Sequence, residues 1–162
     1  MSAPTPQATA AVRTFAQRLS STRRGARLAR LLAVERLQAW QVSLAVTERV
    51  EHVVAELAAN AALHGRVEGR DFQVALTLDE ATGTVRVSVT DVRGDQLPLL
   101  RSGFETSVDD ESGRGLLLVT ALADRWGTDP YPPSGKTIWA EIDQHGKRPE
   151  AVVSRQSGGR CR

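Results

Sequence analysis

The fold of this chain is decided by two adjoining segments, residues 45–65, AVTERVEHVVAELAANAALHG, and residues 71–91, DFQVALTLDEATGTVRVSVTD. In the first, apolar residues recur at spacings of three and four, which predicts an amphipathic helix from about Ala45 to His64. Gly65 follows as a C-terminal stop. In the second, apolar and polar residues alternate on both sides of a short turn, which predicts an antiparallel hairpin of half-buried strands.

The flanking sequence extends this to an α/β fold with an at least partly antiparallel sheet. Ser21 or Thr22 can cap a helix that runs to about Trp40. Weaker patterns predict a short edge strand at Phe15–Leu19, a third helix from near Gly115 and a last strand at Thr137–Ile142. Neither G-x-G-x-x-G nor G-x-x-x-x-G-K-[ST] occurs in the sequence, so the two common nucleotide-binding folds are excluded.

The 162 residues fit one domain with tails. We expect a disordered leader at 1–11, a folded domain at 12–144 and a basic disordered tail at 145–162. The single cysteine, Cys161, excludes a disulfide framework within the chain. The sequence has no secretory signal and no apolar run near the roughly 18 residues of a membrane span, so a cytoplasmic protein without a membrane partner is expected.

The charge distribution argues against a nucleic-acid partner. The net charge is +2, and the basic excess lies in the tail from His145 onward, which leaves the folded part close to neutral. A nucleic-acid interface would need a basic face with aromatic platforms. One basic run lies in the first predicted helix and consists of Arg23, Arg24, Arg27 and Arg30. This run is interpreted as a solvated helix face or a protein-docking surface.

Two polar residues, Glu56 and Asn60, lie one turn apart on the second predicted helix and border its apolar side. A carboxylate and a carboxamide at the edge of a core need partners. A hard cation is one candidate, since Mg²⁺ commonly takes one or two protein oxygens together with phosphates. The alternative is an ordinary pair of helix-surface side chains, and the pair alone does not decide between them.

Asp91 is the last residue of the hairpin. It lies an even number of positions from Val85, Val87 and Val89 along the same strand, so its side chain is predicted to point to the same buried face. A carboxylate at the mouth of a core can accept hydrogen bonds from an amino group such as that of adenine. The alternative is a turn-initiating aspartate.

In the segment Val92 to Ser112 the apolar residues follow neither a helical nor a strand periodicity. Structureless loops of this length are often functional lids. It leads to Gly113-Arg114-Gly115 ahead of the third helix. Glycines let the backbone approach a phosphate, and the free amides of a helix N-terminus favour anions. A merely flexible helix start is the alternative.

Taken in order, these motifs resemble the GHKL ATPase superfamily, and most closely the anti-sigma-factor serine kinases and their stand-alone ATP-binding relatives. The resemblance covers roughly residues 12–142. The residues that carry it are ELAANAALHG at 56–65, Asp91, GRGLLLV at 113–119, ALADRWG at 121–127 and GKTIW at 135–139.

The resemblance implies a Bergerat-type ATP-binding fold, which is a two-layer sandwich of a mixed, mainly antiparallel sheet with helices on one face. It also implies roles by position: Asn60 would coordinate Mg²⁺, Glu56 would act as general base, and Asp91 would bind the adenine amino group. The further nucleotide-binding positions are Gly94, Gly113, Arg114, Gly115, Leu116 and Thr137.

The leading hypothesis is a serine/threonine kinase that phosphorylates an anti-sigma-factor antagonist and binds a sigma factor, with a homodimer as a further option. The alternative is a non-catalytic ATP-binding interaction module. This alternative is favoured by one difference from the family motif Asp-x-Gly-x-Gly. The corresponding residues here are Asp91-Val92-Arg93-Gly94-Asp95, so Arg93 and Asp95 occupy the glycine positions. A histidine kinase catalytic domain is disfavoured, since it needs an attached dimerisation domain with a phosphorylatable histidine.

Overall fold

The structure is a computed structural model that describes residues 10–64, 71–91, 111–132 and 135–145. Three helices and five strands occupy these ranges. In chain order they are β1 (Val12–Ser20), α1 (Arg23–Ala39), α2 (Leu44–His64), β2 (Asp71–Asp79), β3 (Thr84–Asp91), α3 (Glu111–Leu122), β4 (Arg125–Tyr131) and β5 (Gly135–Asp143). The predicted α/β fold is confirmed, and so are both long helices and the hairpin.

The five strands form one sheet in the order β1-β2-β3-β5-β4. All four pairings are antiparallel, so the described part of the sheet has no parallel component. The predicted edge strand is confirmed as β1 and is longer than expected. Thr22 caps α1 as predicted, because its Oγ1 accepts a hydrogen bond of 3.0 Å from the backbone N–H of Gly25.

Strand β4 was not predicted from the sequence. Its sequence contains Gly127 and Pro130, and both residue types are depleted in strands. Proline is tolerated here because β4 is an edge strand. The indole ring of Trp139 on β5 covers Gly127, since a Cβ atom there would lie 2.8 Å from Cζ2 of the ring. The strand is therefore held by its neighbour rather than by its own propensity.

The core lies between one face of the sheet and the helices. Alternate residues of β2, β3 and β5 are buried on this face, as the hairpin pattern predicts. Val50, Val53 and Leu57 of α2 are fully buried in the same cluster. Each such side chain contributes roughly 1.5–3 kcal/mol through burial. Helix α2 thus lies in the centre of the domain and packs against α1, α3 and the central strands.

The opposite face of the sheet is polar and is organised by ion pairs. Glu141 accepts hydrogen bonds of 2.8 Å from both Arg86 and Arg125, and Arg125 also contacts Asp143 at 2.8 Å. The Arg125 guanidinium is the main reason that the pKa values of Glu141 and Asp143 both lie below their ordinary range. Arg86 also stacks over the Trp139 ring at 4.2 Å from its centroid. These pairs link β3, β5 and β4 across the polar face.

In the ranges that the structure describes, no helix has the length and apolar content needed to cross a bilayer.

Candidate functional site

Glu56 and Asn60 are half-buried on α2, as the helical pattern predicts, and they face the N-terminal part of α3. A Cβ atom on Gly115 would lie 2.7 Å from Oε2 of Glu56 and 3.7 Å from Nδ2 of Asn60. Such contact at 2.7 Å is closer than real Cβ atoms adopt, so only glycine fits without moving the carboxylate. The structure therefore brings together two motifs that are more than fifty residues apart in the sequence.

Arg49 anchors the other end of α3. Its Nε donates a hydrogen bond of 2.9 Å to the carbonyl of Leu122, and its Nη2 contacts Asp124 at 3.2 Å. A cation near the C-terminus of a helix satisfies its last carbonyls and interacts well with its dipole. Arg49 and Glu56 are two turns apart on α2, and Leu122 and Gly115 are two turns apart on α3. The two helices thus run antiparallel at this contact, with Glu56 at the N-terminal end of α3.

Helix α3 begins at Glu111 rather than near Gly115, which corrects the predicted boundary. Gly113, Arg114 and Gly115 lie within the first turns of the helix instead of ahead of it. Gly113 and Gly115 lower the intrinsic helix propensity of this stretch, which is why the sequence predicted a later start. Burial of Leu116 and Val119 against the core stabilises the longer helix. Leu116 is buried, with only 4% of its surface exposed.

Asp91 has the predicted parity and is buried, with 6% of its surface exposed. It ends β3 between two neighbours in the sheet, Phe72 of β2 and Lys136 of β5. The start of β5 passes very close to it: a Cβ on Gly135 would lie 2.7 Å from the carbonyl oxygen of Asp91. The burial of Asp91 is confirmed, and its role in binding the base stays a prediction.

Thr137 is not on the face that carries Asp91. It pairs in register with Thr90, and the two hydroxyl oxygens are 2.8 Å apart on the polar side of the sheet. The residue of β5 that lies opposite Asp91, on the same face of the sheet, is Lys136. Lys136 is not among the residues predicted from the sequence to face the core, because the predicted strand began one residue later, at Thr137. The alternation of Ile138, Ala140 and Ile142 would have identified it, since it assigns position 136 to the buried face.

The site lies at one end of the two layers. Helix α2 ends at His64, and β2 begins at Asp71 after six residues, so Glu56 and Asn60 occupy the turns of α2 nearest this end of the sheet. Phe72 then pairs with Asp91, which places the end of β3 at the same end. The predicted position Gly94 and the neighbouring Arg93 and Asp95 lie outside the described residues, as does most of the predicted lid at 92–112.

The donor set suits a magnesium ion held mainly by phosphates. Among the described ranges, no group of three His, Cys, Asp or Glu side chains could hold a metal. Asn60 would supply one amide oxygen to such an ion, since Mg²⁺ usually takes one or two protein ligands together with phosphates. The backbone of Gly115 lies directly beside the Glu56 carboxylate and the Asn60 amide, with no room for a Cβ between them. The free amides of α3 belong to its first turn, residues 111–114, and favour an anion ahead of Gly115.

Comparisons with known proteins show the family and the fold of this chain. The family described as "Histidine kinase-like ATPase domain" matches residues 19–142, which include every described site residue. The structure of the RsbU and RsbW domains of a Mycobacterium tuberculosis protein is similar, with a TM-score of 0.61 and 22% identity, over 87% of this chain and 33% of that chain. This chain thus spans about a third of that protein.

A second similar structure is the SiaB-SiaC complex from Pseudomonas aeruginosa. Its TM-score is 0.57 at 16% identity, and the match covers 79% of this chain and 88% of that chain. At these identities the two likenesses concern the fold. No curated protein matches the chain.

Proposed function

This chain belongs to the histidine kinase-like ATPase domain family, and we propose that it acts there as a Mg²⁺-ATP-dependent serine/threonine kinase of the anti-sigma-factor type. Its substrate would be an anti-sigma-factor antagonist protein, and a sigma factor would be its second partner. ATP binding follows from the family; the transfer reaction and the partners are the proposal. The proposal is supported by the residues at the α2–α3 contact and by the sequence resemblance to the anti-sigma-factor serine kinases.

The observation that carries the proposal is the position of the Glu56 carboxylate beside Gly115, one turn inside the N-terminus of α3. The free amides of this helix end, at residues 111–114, favour phosphate groups. A carboxylate one turn away suits an acceptor hydroxyl that approaches the γ-phosphate. A carboxylate that only bound nucleotide would be unfavourable there, because it would repel the phosphates. Glu56 therefore suits proton transfer better than anion binding.

In the proposed reaction, the oxygen of a serine or threonine hydroxyl forms a bond to the γ-phosphorus. The bond between that phosphorus and the bridging oxygen breaks, and ADP leaves with the electron pair. The hydroxyl proton passes to Glu56. Asn60 would hold Mg²⁺, which neutralises phosphate charge when bound. Most of the rate enhancement in such reactions comes from positioning and charge stabilisation.

A protein partner is supported by the surface of α1. Arg23, Arg24 and Arg27 are exposed, and Leu28 and Leu31 are exposed beside them, at 42% and 52%. Basic residues in the first turn oppose the helix dipole and do not stabilise α1. An exposed basic and apolar helix face suits protein docking. One of the similar structures is itself a complex of two proteins.

The second candidate function is an ATP-binding interaction module without phosphoryl transfer. The observation that favours it is the sequence Asp91-Val92-Arg93-Gly94-Asp95, in which charged residues occupy the glycine positions of the resembled motif. Charged side chains there would change the floor of the nucleotide pocket and the position of the phosphates.

The two candidates are separated by incubating the protein with γ-labelled ATP, Mg²⁺ and a panel of small antagonist proteins. Label recovered as phosphoserine or phosphothreonine on an antagonist supports the kinase. Nucleotide binding is measured in parallel by calorimetry. Tight ATP binding and antagonist binding without any label transfer would overturn the kinase proposal and support the interaction module.

A further inference from the structure

Arg49 of α2 holds the C-terminal end of α3 with two donors of one guanidinium. Its Nε donates a hydrogen bond of 2.9 Å to the carbonyl of Leu122, and its Nη2 contacts the carboxylate of Asp124 at 3.2 Å. Because the guanidinium is rigid and planar, two simultaneous contacts fix its orientation as well as its distance. The side chains of Arg49 and Asp124 are 32% and 22% exposed, so both are partly shielded from water.

Asp124, the acceptor in this contact, is itself attached to the sheet. Its Oδ2 also accepts a hydrogen bond of 2.8 Å from the backbone N–H of Asp143, and its own backbone N–H donates to the carbonyl of Glu141 at 2.9 Å. Asp143 and Glu141 both belong to β5. The junction between α3 and β4 is therefore fixed to β5, and Arg49 joins α2 to that fixed point.

A second contact between α2 and α3 lies two turns away, where Gly115 faces Glu56. Seven residues separate Arg49 from Glu56 on α2, which is roughly 10 Å along the helix axis. The same number separates Gly115 from Leu122 on α3. Two points of contact define the angle between two helices and their relative shift along the axis. Loss of one point allows α3 to tilt or slide, and the close fit at Gly115 makes its distance from the carboxylate sensitive to a small movement.

We propose that Arg49 is a positioning residue: by holding the C-terminal end of α3, it sets the distance between the Glu56 carboxylate and the first turn of this helix. The inference rests on the proposed function for its effect on phosphoryl transfer. Its geometric part, a dependence of the Gly115–Glu56 contact on Arg49, is tested without any reaction. Arg49 acts through α3 and touches neither nucleotide nor acceptor in this scheme.

A purely structural role is the alternative, in which Arg49 only adds stability. Arg49→Met keeps the apolar stem and removes every donor, so both roles predict a lower Tm. Only positioning predicts a change in how Gly115 and Glu56 act on each other. Arg13→Met is the matched control, because the Nε of Arg13 makes a 2.6 Å contact with Glu80 at the far edge of the sheet.

The first measurement is thermal unfolding of a mutant cycle. Gly115→Ala is made with Glu56 present and in Glu56→Ala, and the difference between its two effects on Tm reports the contact. The cycle is repeated with Arg49→Met and with Arg13→Met. In Arg49→Met, α3 can move away from the carboxylate, so the difference should fall to about half or less. In Arg13→Met it should stay as in the wild type.

The second measurement is transfer of label from ATP to an antagonist protein. Arg49→Met should lower kcat roughly ten- to hundredfold, the scale of a small misplacement of reacting groups. The KM for ATP should change less than about threefold, since the metal and base positions are retained. In Glu56→Gln the same substitution should have little further effect, because Arg49 acts through Glu56. Arg49→Lys keeps the charge on a flexible stem, without the planar pair of donors, and should recover part of the rate.

An undiminished difference in Tm in Arg49→Met would overturn the proposal, and so would an equal loss in Arg13→Met. A fall in kcat that is just as large in Glu56→Gln as in the wild type would also overturn it, because Arg49 would then act by another route. If the wild type transfers no label, the proposed kinase function fails, while the Tm cycle still decides the role of Arg49. If Arg49→Met does not fold, the cycle is run in Arg49→Lys and Asp124→Asn, where an unchanged difference in both would reject the proposal.

Discussion

Gly115 of α3 and Glu56 of α2 lie so close that a Cβ atom on residue 115 would stand 2.7 Å from Oε2 of the carboxylate. The contact joins the helix that carries the proposed base to the helix end that suits phosphate. It also means that a single methyl group can move Glu56 without removing it.

Gly115→Ala should therefore have different effects on Tm in two backgrounds, the wild type and Glu56→Ala. Alanine favours a helix over glycine by roughly 0.5–1 kcal/mol, but in the wild type its Cβ must displace the Glu56 carboxylate. We expect little net change in Tm there, and a clear rise when the substitution is made in Glu56→Ala. Thermal unfolding of the four proteins measures the coupling, expected at about 1 kcal/mol. Glu51→Ala is the matched background, and equal effects of Gly115→Ala in Glu56→Ala and Glu51→Ala would contradict the contact.

The ion pairs of Arg125 should make stability depend on pH in the acid range. Arg125 lowers the pKa values of Glu141 and Asp143 below their ordinary 4.5 and 3.8 in the folded state. The stabilisation is thus present above those ordinary values and is lost as pH falls through the lower, folded ones. Arg125→Met should destabilise at pH 7 by about 1 kcal/mol or less, since the arginine is half exposed and screened.

The difference in Tm between wild type and Arg125→Met should shrink from pH 5 towards pH 2. Arg125→Lys keeps the charge but not the paired geometry, so it should retain part of the difference. A gap in Tm that is constant over this range would argue that the methionine acts through packing and not through charge.

Local patterns in the sequence were enough for the elements whose partners are their own neighbours. The period of 45–64 predicts α2, the alternation of 72–89 predicts the hairpin, and Thr22 is identified as a cap. The parity of Asp91 also follows from its own strand. In each case the residues that carry the pattern lie within the element itself or directly beside it.

The parts that the sequence did not predict depend on contacts between distant segments. Strand β4 contains Gly127 and Pro130 and is stabilised by Trp139 and by the pairs of Arg125. The proximity of Gly115 to Glu56 arises from helix packing that is anchored at Arg49. Lys136 became visible as the partner of Asp91 only through the register of β3 with β5.

Asp91→Asn should weaken ATP binding and leave the fold intact. The amide has nearly the same shape, but it has one acceptor oxygen and no charge with which to accept from the adenine amino group. The expected loss is about 1–3 kcal/mol, the range for a hydrogen bond to a charged group. Calorimetry measures it, with Asp129→Asn as control, because Asp129 is 61% exposed on the edge strand. Unchanged affinity in Asp91→Asn would remove Asp91 from the site.

Glu56→Gln and Asn60→Ala should separate chemistry from binding. Glutamine keeps the shape and hydrogen-bonding capacity of Glu56 but cannot take the hydroxyl proton, so ATP binding should survive. Phosphoryl transfer to the antagonist should fall roughly 10²–10⁴-fold, the usual contribution of general acid–base catalysis. Asn60→Ala should reduce both, because it removes the amide oxygen proposed to hold Mg²⁺. Calorimetry with Mg²⁺-ATP and label transfer are measured on the same samples. If Glu56→Gln transfers phosphate as fast as the wild type, Glu56 is only a helix-edge carboxylate, and its closeness to Gly115 is a matter of packing.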